Sequence, residues 1–158
     1  MPTPKPIVLV ATKTLPPMTV PVARDTYTAD LVSLWVDDDD ANTICGKAFC
    51  TPESDYAYQV SNWDCAVSNY TFQHEHGHLQ GCAHNVDDAG SNCNWYSYSY
   101  GWRFFGNSGR GWRTVMAYNN EPEDYDRINW FSNPSVFYDG VIYKKWYVFP
   151  VLSERRQD

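Results

Sequence analysis

The hydrophobic pattern resolves into short segments. Ala29-Asp30-Leu31-Val32-Ser33-Leu34-Trp35-Val36 is a mostly apolar run between polar residues, which predicts a buried strand. Asp55-Tyr56-Ala57-Tyr58-Gln59-Val60 alternates, which predicts a half-exposed strand, because successive strand side chains leave on opposite faces. Around residues 74–81 the pattern is helical and stops at Gly81. Residues 1–25 carry Pro2, Pro4, Pro6, Pro16, Pro17 and Pro21 and show no helical period. Proline lacks an amide donor and clashes with the preceding turn, so this segment is expected to be irregular. Residues 26–158 are expected to form a single α+β domain.

Composition narrows the classes. With 158 residues the chain is long enough to bury a real core. An aromatic content of 16% argues against disorder. Twelve Lys and Arg against nineteen acids give a net charge of −7, which leaves no basic footprint for nucleic acid. No apolar run reaches the length of a membrane span, and Ile7–Ala11 is too short for the core of an export signal. Asp37-Asp38-Asp39-Asp40 reads as a solvated loop, with a calcium site as the rival reading because hard cations take carboxylate oxygens. Asn94-Trp95-Tyr96-Ser97-Tyr98-Ser99-Tyr100-Gly101-Trp102 reads as an aromatic loop packed beside the site described next, with sugar binding as the rival.

The candidate chemistry lies in His74-Glu75-His76-Gly77-His78-Leu79-Gln80-Gly81-Cys82-Ala83-His84, which holds all four histidines of the chain. On a helix, residues four apart share a face, so His74 and His78 can aim two imidazoles at one ion. Glu75 is displaced by about 100° and stands beside such an ion, placed for proton transfer. Glycine accepts the left-handed conformation that ends a helix, so Gly81 lets the chain turn and His84 supply a third ligand. Three neutral imidazoles with a fourth position open for water make a catalytic rather than a closed structural zinc site. Zinc lowers the pKa of its water to about 7. A bare H-E-x-x-H also arises by chance; Gly81 and His84 in register make chance the minor reading. His76 points off the 74/78 face and reads as a surface or supporting histidine.

Trp112-Arg113-Thr114-Val115-Met116-Ala117-Tyr118 resembles the Met-turn of the metzincin metalloproteases. Cys45-Gly46-Lys47-Ala48-Phe49 and Phe131-Ser132-Asn133-Pro134 resemble further segments of the same proteins, most closely the peptidyl-Asp metallopeptidase and reprolysin-like bacterial group. The resemblance covers roughly residues 28–140. It implies a metzincin-like fold: a small twisted mixed sheet, an active-site helix, and a C-terminal subdomain built on the Met-turn. It implies one catalytic zinc on His74, His78 and His84, Glu75 as general base, and Met116 as an apolar floor that does not bind metal. It further implies Tyr118 as zinc ligand or oxyanion donor, and Gly46 and Ala48 on an edge strand that takes an extended protein or peptide substrate. The segments near Gly46–Phe49 and Tyr56–Val60 are the two candidates for that edge.

The function expected is zinc-dependent endopeptidase. The alternative is a catalytically weak or inactive zinc-binding remnant that acts as a binding module. Asn85 stands where many relatives carry Asp, and neither the usual first long helix nor the closing helix is evident, so the chain is expected to be truncated at both. The loop 119–127 holds four carboxylates and one arginine, which at face value disfavours an acidic substrate side chain unless Arg110 or Arg113 faces the pocket. Five cysteines in a secreted protease suit disulfides, with Cys45–Cys65 and Cys82–Cys93 as the expected pairs and Cys50 left over. A secreted location is inferred from the family and the cysteines.

Overall fold

Val32–Val36 forms β1, as its apolar run predicts, although the strand starts three residues later than that run. The computed structural model describes residues 19–37, 44–88, 93, 95–119 and 122–142. The expected single domain is organised as two compact units, which divide between Leu79 and Gln80.

In the first unit, helix α1 (Thr19–Tyr27) runs through part of the segment expected to be irregular. Pro21 lies in its first turn, where backbone amides have no acceptor within the helix, so the missing N–H costs nothing there. After β1 come β2 (Gly46–Ala48), a 3-10 turn (Ser54–Tyr56), β3 (Tyr58–Asn62), and helices α2 (Trp63–Ala66) and α3 (Thr71–Leu79). The sheet is mixed, in the order β1-β3-β2: β1 is parallel to β3 and β2 antiparallel to it.

This order corrects two expectations. Asp55 and Tyr56 belong to the 3-10 turn, and β3 is the central strand with both edges paired. It therefore has no free edge; the edge strands of this sheet, among the described residues, are β1 and β2. Gln59 and Ser61 are buried and Tyr58 and Val60 half-buried, so the polar residues are the inward ones. The Asn62 side chain caps α2 by accepting from the Asp64 amide at 3.1 Å, and the Cys45–Cys65 disulfide ties the start of β2 to α2.

In the second unit, β4 (Ala83–Asn85) pairs in parallel with β5 (Tyr100–Gly101). Strands β6 (Arg103–Phe105), β7 (Gly111–Arg113) and β8 (Asp126–Arg127) form a second three-stranded sheet. β9 (Phe137–Tyr138) and β10 (Val141–Ile142) form a hairpin. Phe104 and Ile128 centre the core, packed by Trp102, Trp112, Val136, Tyr138 and Val141. The β9–β10 turn places Asp139 and Gly140 at positive φ, as a two-residue hairpin of the primed type requires. The Asp139 carboxylate accepts from the Ser108 hydroxyl and, at 2.8 Å, from the Trp112 indole, so it links the two hairpins. Asp38–Asp40 and the positions of a closing helix lie outside the described residues.

Candidate metal centre

Helix α3 presents His74, Glu75 and His78 on its buried side. The two imidazoles meet edge to face with their Nε2 atoms 3.2 Å apart. Two buried rings that turn the same nitrogen toward one point fit a divalent cation that favours imidazole. The remaining nitrogen of His78, Nδ1, lies 3.7 Å from the Cys50 sulfur.

Glu75 stands against the edge strand. A Cβ added at Gly46 would lie 2.9 Å from Glu75 Oε1, 2.8 Å from its Cγ and 2.7 Å from Thr71 Cγ2. A side chain at position 46 would therefore displace the carboxylate, and glycine is required by close approach rather than by backbone conformation. Ala48, two residues on, shares the edge strand and is half-buried.

His76 is half-buried. Its Nδ1 is 3.0 Å from the Phe72 carbonyl and its Nε2 is 3.4 Å from the Ser33 hydroxyl. Gln59 donates to Ser33 at 2.9 Å and accepts from Ser61 at 2.7 Å. One direction satisfies the whole chain: Ser61 to Gln59, Gln59 to Ser33, Ser33 to His76, and His76 to the Phe72 carbonyl. That direction needs a neutral His76, and burial does push its pKa down. The sequence reading missed Ser33, Gln59 and Ser61. Their signal was polar residues at the sites of β1 and β3 that pair with each other, Ser33 opposite Gln59.

The second unit holds the remaining residues. Gly81 has φ +83°, and a Cβ there would also meet the Tyr96 ring at 2.9 Å and Trp95 at 3.3 Å. The aromatic loop thus packs on the glycine that follows α3. His84 sits on β4, half-buried, with its ring 3.9 Å from that of Tyr118. Tyr118 is 43% exposed and Met116 only 2%. Val115 and Met116 form a turn closed by Ala117 N–H to Thr114 O at 3.0 Å. Ser132, from the Phe131–Pro134 segment, donates to the Tyr100 carbonyl at 2.7 Å and lies 3.3 Å from the Thr114 hydroxyl, so it braces this turn.

Asn85 ties β4 to the same turn. It accepts from the Tyr118 amide at 2.9 Å and donates to Asp87 and Asp88, each at 2.6 Å. Arg103 is paired with both carboxylates.

Two cysteine expectations change. Cys45–Cys65 forms as expected. Cys82 is a thiol outside any disulfide, its pKa pushed up to about 12 by burial, so it does not pair with Cys93. Cys50 and Cys93 are both disulfide-bonded, so Cys50 is not left over. The acidic loop also differs from its face value. Glu123 accepts from the Tyr125 hydroxyl, Asp124 from Asn119, and Asp126 from Arg110. Arg113 instead donates to the carbonyls of Tyr125 and Ala117.

The model of metallo-peptidase family M12 (Reprolysin_5) matches residues 17–132. A peptidyl-Asp metalloendopeptidase of Stenotrophomonas maltophilia (strain K279a) is 36% identical over 120 residues, which is 75% of this chain and 28% of that protein. A peptidyl-Asp metalloendopeptidase of Xanthomonas campestris pv. campestris is also 36% identical over 120 residues, covering 27% of its length. One of Pseudomonas fragi is 42% identical over 76 residues, 48% of this chain and 49% of that protein. This chain therefore spans less than a third of the length of the first two. No solved structure matches.

Proposed function

The chain belongs to metallo-peptidase family M12, and from that premise we propose that it is a zinc endopeptidase of the metzincin type. The observation that carries the reading is the buried pair His74 and His78, with Nε2 atoms 3.2 Å apart and Glu75 on the same helix. His84, in register after Gly81, is the proposed third ligand, and the Met116 turn is the proposed apolar floor.

When bound there, zinc supplies Lewis-acid chemistry at the scissile carbonyl. His74, His78 and His84 would hold it as neutral imidazoles, so protons would compete with the metal and acid would release it. Glu75 takes a proton from the attacking water as the water oxygen joins the carbonyl carbon. It returns that proton to the amine nitrogen as the C–N bond breaks. Tyr118, close to His84 and partly exposed, donates a hydrogen bond to the carbonyl oxygen as negative charge develops. Gly46 and Ala48 offer the backbone of β2 to an extended substrate, which adds itself to the sheet.

The relatives carry the name peptidyl-Asp metalloendopeptidase, and on that likeness we read the substrate class as peptides with aspartate at the scissile bond. An exported location belongs to the same reading, because disulfides persist in oxidising compartments. No helix among the described residues is long and apolar enough to cross a membrane.

The test is metal content with turnover. The reading expects one zinc per chain and casein cleavage that stops with a chelator and returns with added zinc. One zinc without cleavage would favour the binding-module alternative, and no zinc would end both readings.

A further inference from the structure

Behind the Met116 turn the second unit gathers positive charge that the mechanism does not use. Arg113, on β7, donates Nε to the Tyr125 carbonyl at 2.8 Å and Nη1 to the Ala117 carbonyl at 3.0 Å. Arg127 lies opposite Arg113 in the β7–β8 register, and its Nη2 reaches the same Ala117 oxygen at 3.4 Å. Arg103 approaches the next carbonyl, that of Tyr118, at 3.5 Å. Three guanidiniums thus converge on two consecutive peptide groups in a chain of net charge −7. Tyr118, at the end of that pair, has its ring 3.9 Å from that of His84.

The three are not equivalent. Arg103 is paired with Asp87 and Asp88. Arg113 makes no ion pair among the described residues, and its hydrogen bonds go to backbone carbonyls alone. It is half-buried, and desolvation pushes its pKa down, opposed by the more distant charges of Asp124 and Asp126. A guanidinium stays charged in proteins even so. The nearby acids are occupied: Asp126 by Arg110, Asp124 by Asn119 and Glu123 by Tyr125. A guanidinium has five N–H donors in a planar fork. Two of those of Arg113 fix its orientation on the protein, and Nη2 has no partner among the described residues. A half-buried cation fixed in direction, with donors to spare, is preorganised for a carboxylate, the partner that the fork fits best.

We propose that Arg113, seconded by Arg127, is the specificity-determining residue that receives the side-chain carboxylate of an acidic residue at the scissile bond. The inference rests on the endopeptidase reading and deepens it. It also gives the acidic loop 119–127 a different role: its described carboxylates are held by local donors, and Arg113 is left to set the charge preference.

The experiment compares two matched fluorogenic peptides that differ only by Asp or Asn at the scissile bond, with wild type, Arg113→Gln and Arg113→Lys. Wild type is expected to prefer the Asp peptide. Arg113→Gln is expected to lose roughly ten- to a hundredfold more in kcat/KM on the Asp peptide than on the Asn peptide, the range for one charge-assisted hydrogen bond, because lost support for the Ala117 carbonyl falls on both peptides alike. Arg113→Lys is expected to recover part of the preference, since it keeps charge without the fork. An unchanged Asp/Asn ratio in Arg113→Gln overturns the proposal. An equal loss on both peptides also overturns it, because that is the signature of a residue that only supports the Ala117 backbone. If wild type cleaves neither peptide, the endopeptidase reading fails separately. Calorimetric binding of the same two peptides then decides the Arg113 seat: tighter binding of the Asp peptide, lost in Arg113→Gln, supports it, and equal binding overturns it.

Discussion

Asn85 shows how one atom changes what a position tolerates. It is 3% exposed, and its amide nitrogen donates to Asp87 and Asp88 while its oxygen accepts from the Tyr118 amide. Aspartate could keep the Tyr118 bond. It would replace the donor with a third carboxylate facing two others. Asn85→Asp is therefore expected to lower stability by about 1–3 kcal/mol, the cost of unmade buried hydrogen bonds, read as a lower Tm by circular dichroism. A Tm equal to wild type would show that the cluster rearranges freely. The proposed zinc motif was legible because its proposed ligands lie close in sequence, so the spacing itself suggests the arrangement. Gln59 was not. A glutamine on an alternating strand reads as outward, and here it is inward because Ser33, 26 residues away on β1, and Ser61, two residues along β3, satisfy it. The charge seat at Arg113 was open in the sequence for the same reason: its partners Ala117 and Tyr125 offer backbone oxygens, which no side-chain pattern encodes.

At the scale of elements, the contact between β2 and α3 carries the most functional weight. The Gly46 backbone and the Glu75 carboxylate occupy adjoining space, so Gly46→Ala must push Glu75 aside. If Glu75 is the base, displacement of about 1 Å is expected to cost roughly a hundredfold in kcat. Zinc content should stay at wild type, because the atoms nearest the new methyl belong to Thr71 and Glu75 and not to a proposed ligand. Unaltered kcat would mean that Glu75 is not the base or that its position is not critical. The resemblance marked Gly46 through its neighbours Cys45 and Ala48, and the structure supplies the reason for glycine. The element that the sequence misjudged is α1: proline density argued against a helix, but Pro21 falls where a helix tolerates it.

The two hairpins of the second unit make a pH prediction. Ser108 first, then Trp112, donate to Asp139 and hold its carboxyl below the usual carboxylate range. A folded-state pKa below the unfolded value of about 3.9 contributes stability that is present above that value. The contribution is lost as pH falls through the folded pKa. The acid-induced drop in Tm below about pH 4 should therefore be smaller in Asp139→Asn than in wild type. Trp112 fluorescence should report the same transition, because its indole is one of the donors. Identical acid profiles for the two proteins would remove Asp139 from the account.

At the scale of the whole molecule, the sequence predicted the class better than the organisation. The mixed sheet was expected from the family resemblance, the helix ending before Gly81 from the local pattern around residues 74–81, and the Cys45–Cys65 bridge from the cysteine count. The division between Leu79 and Gln80, the central place of β3 and the oxidised state of Cys50 and Cys93 depend on contacts between distant segments, which spacing cannot reveal. The functional claim rests on Glu75 together with the proposed ligands His74, His78 and His84. It is tested most directly by cleavage of casein with the zinc-loaded wild-type chain and with Glu75→Gln. The account predicts that Glu75→Gln keeps its fold and one zinc and loses about 10²–10⁴-fold in rate, the contribution of a positioned acid/base. Cleavage by zinc-loaded Glu75→Gln at the wild-type rate would contradict it.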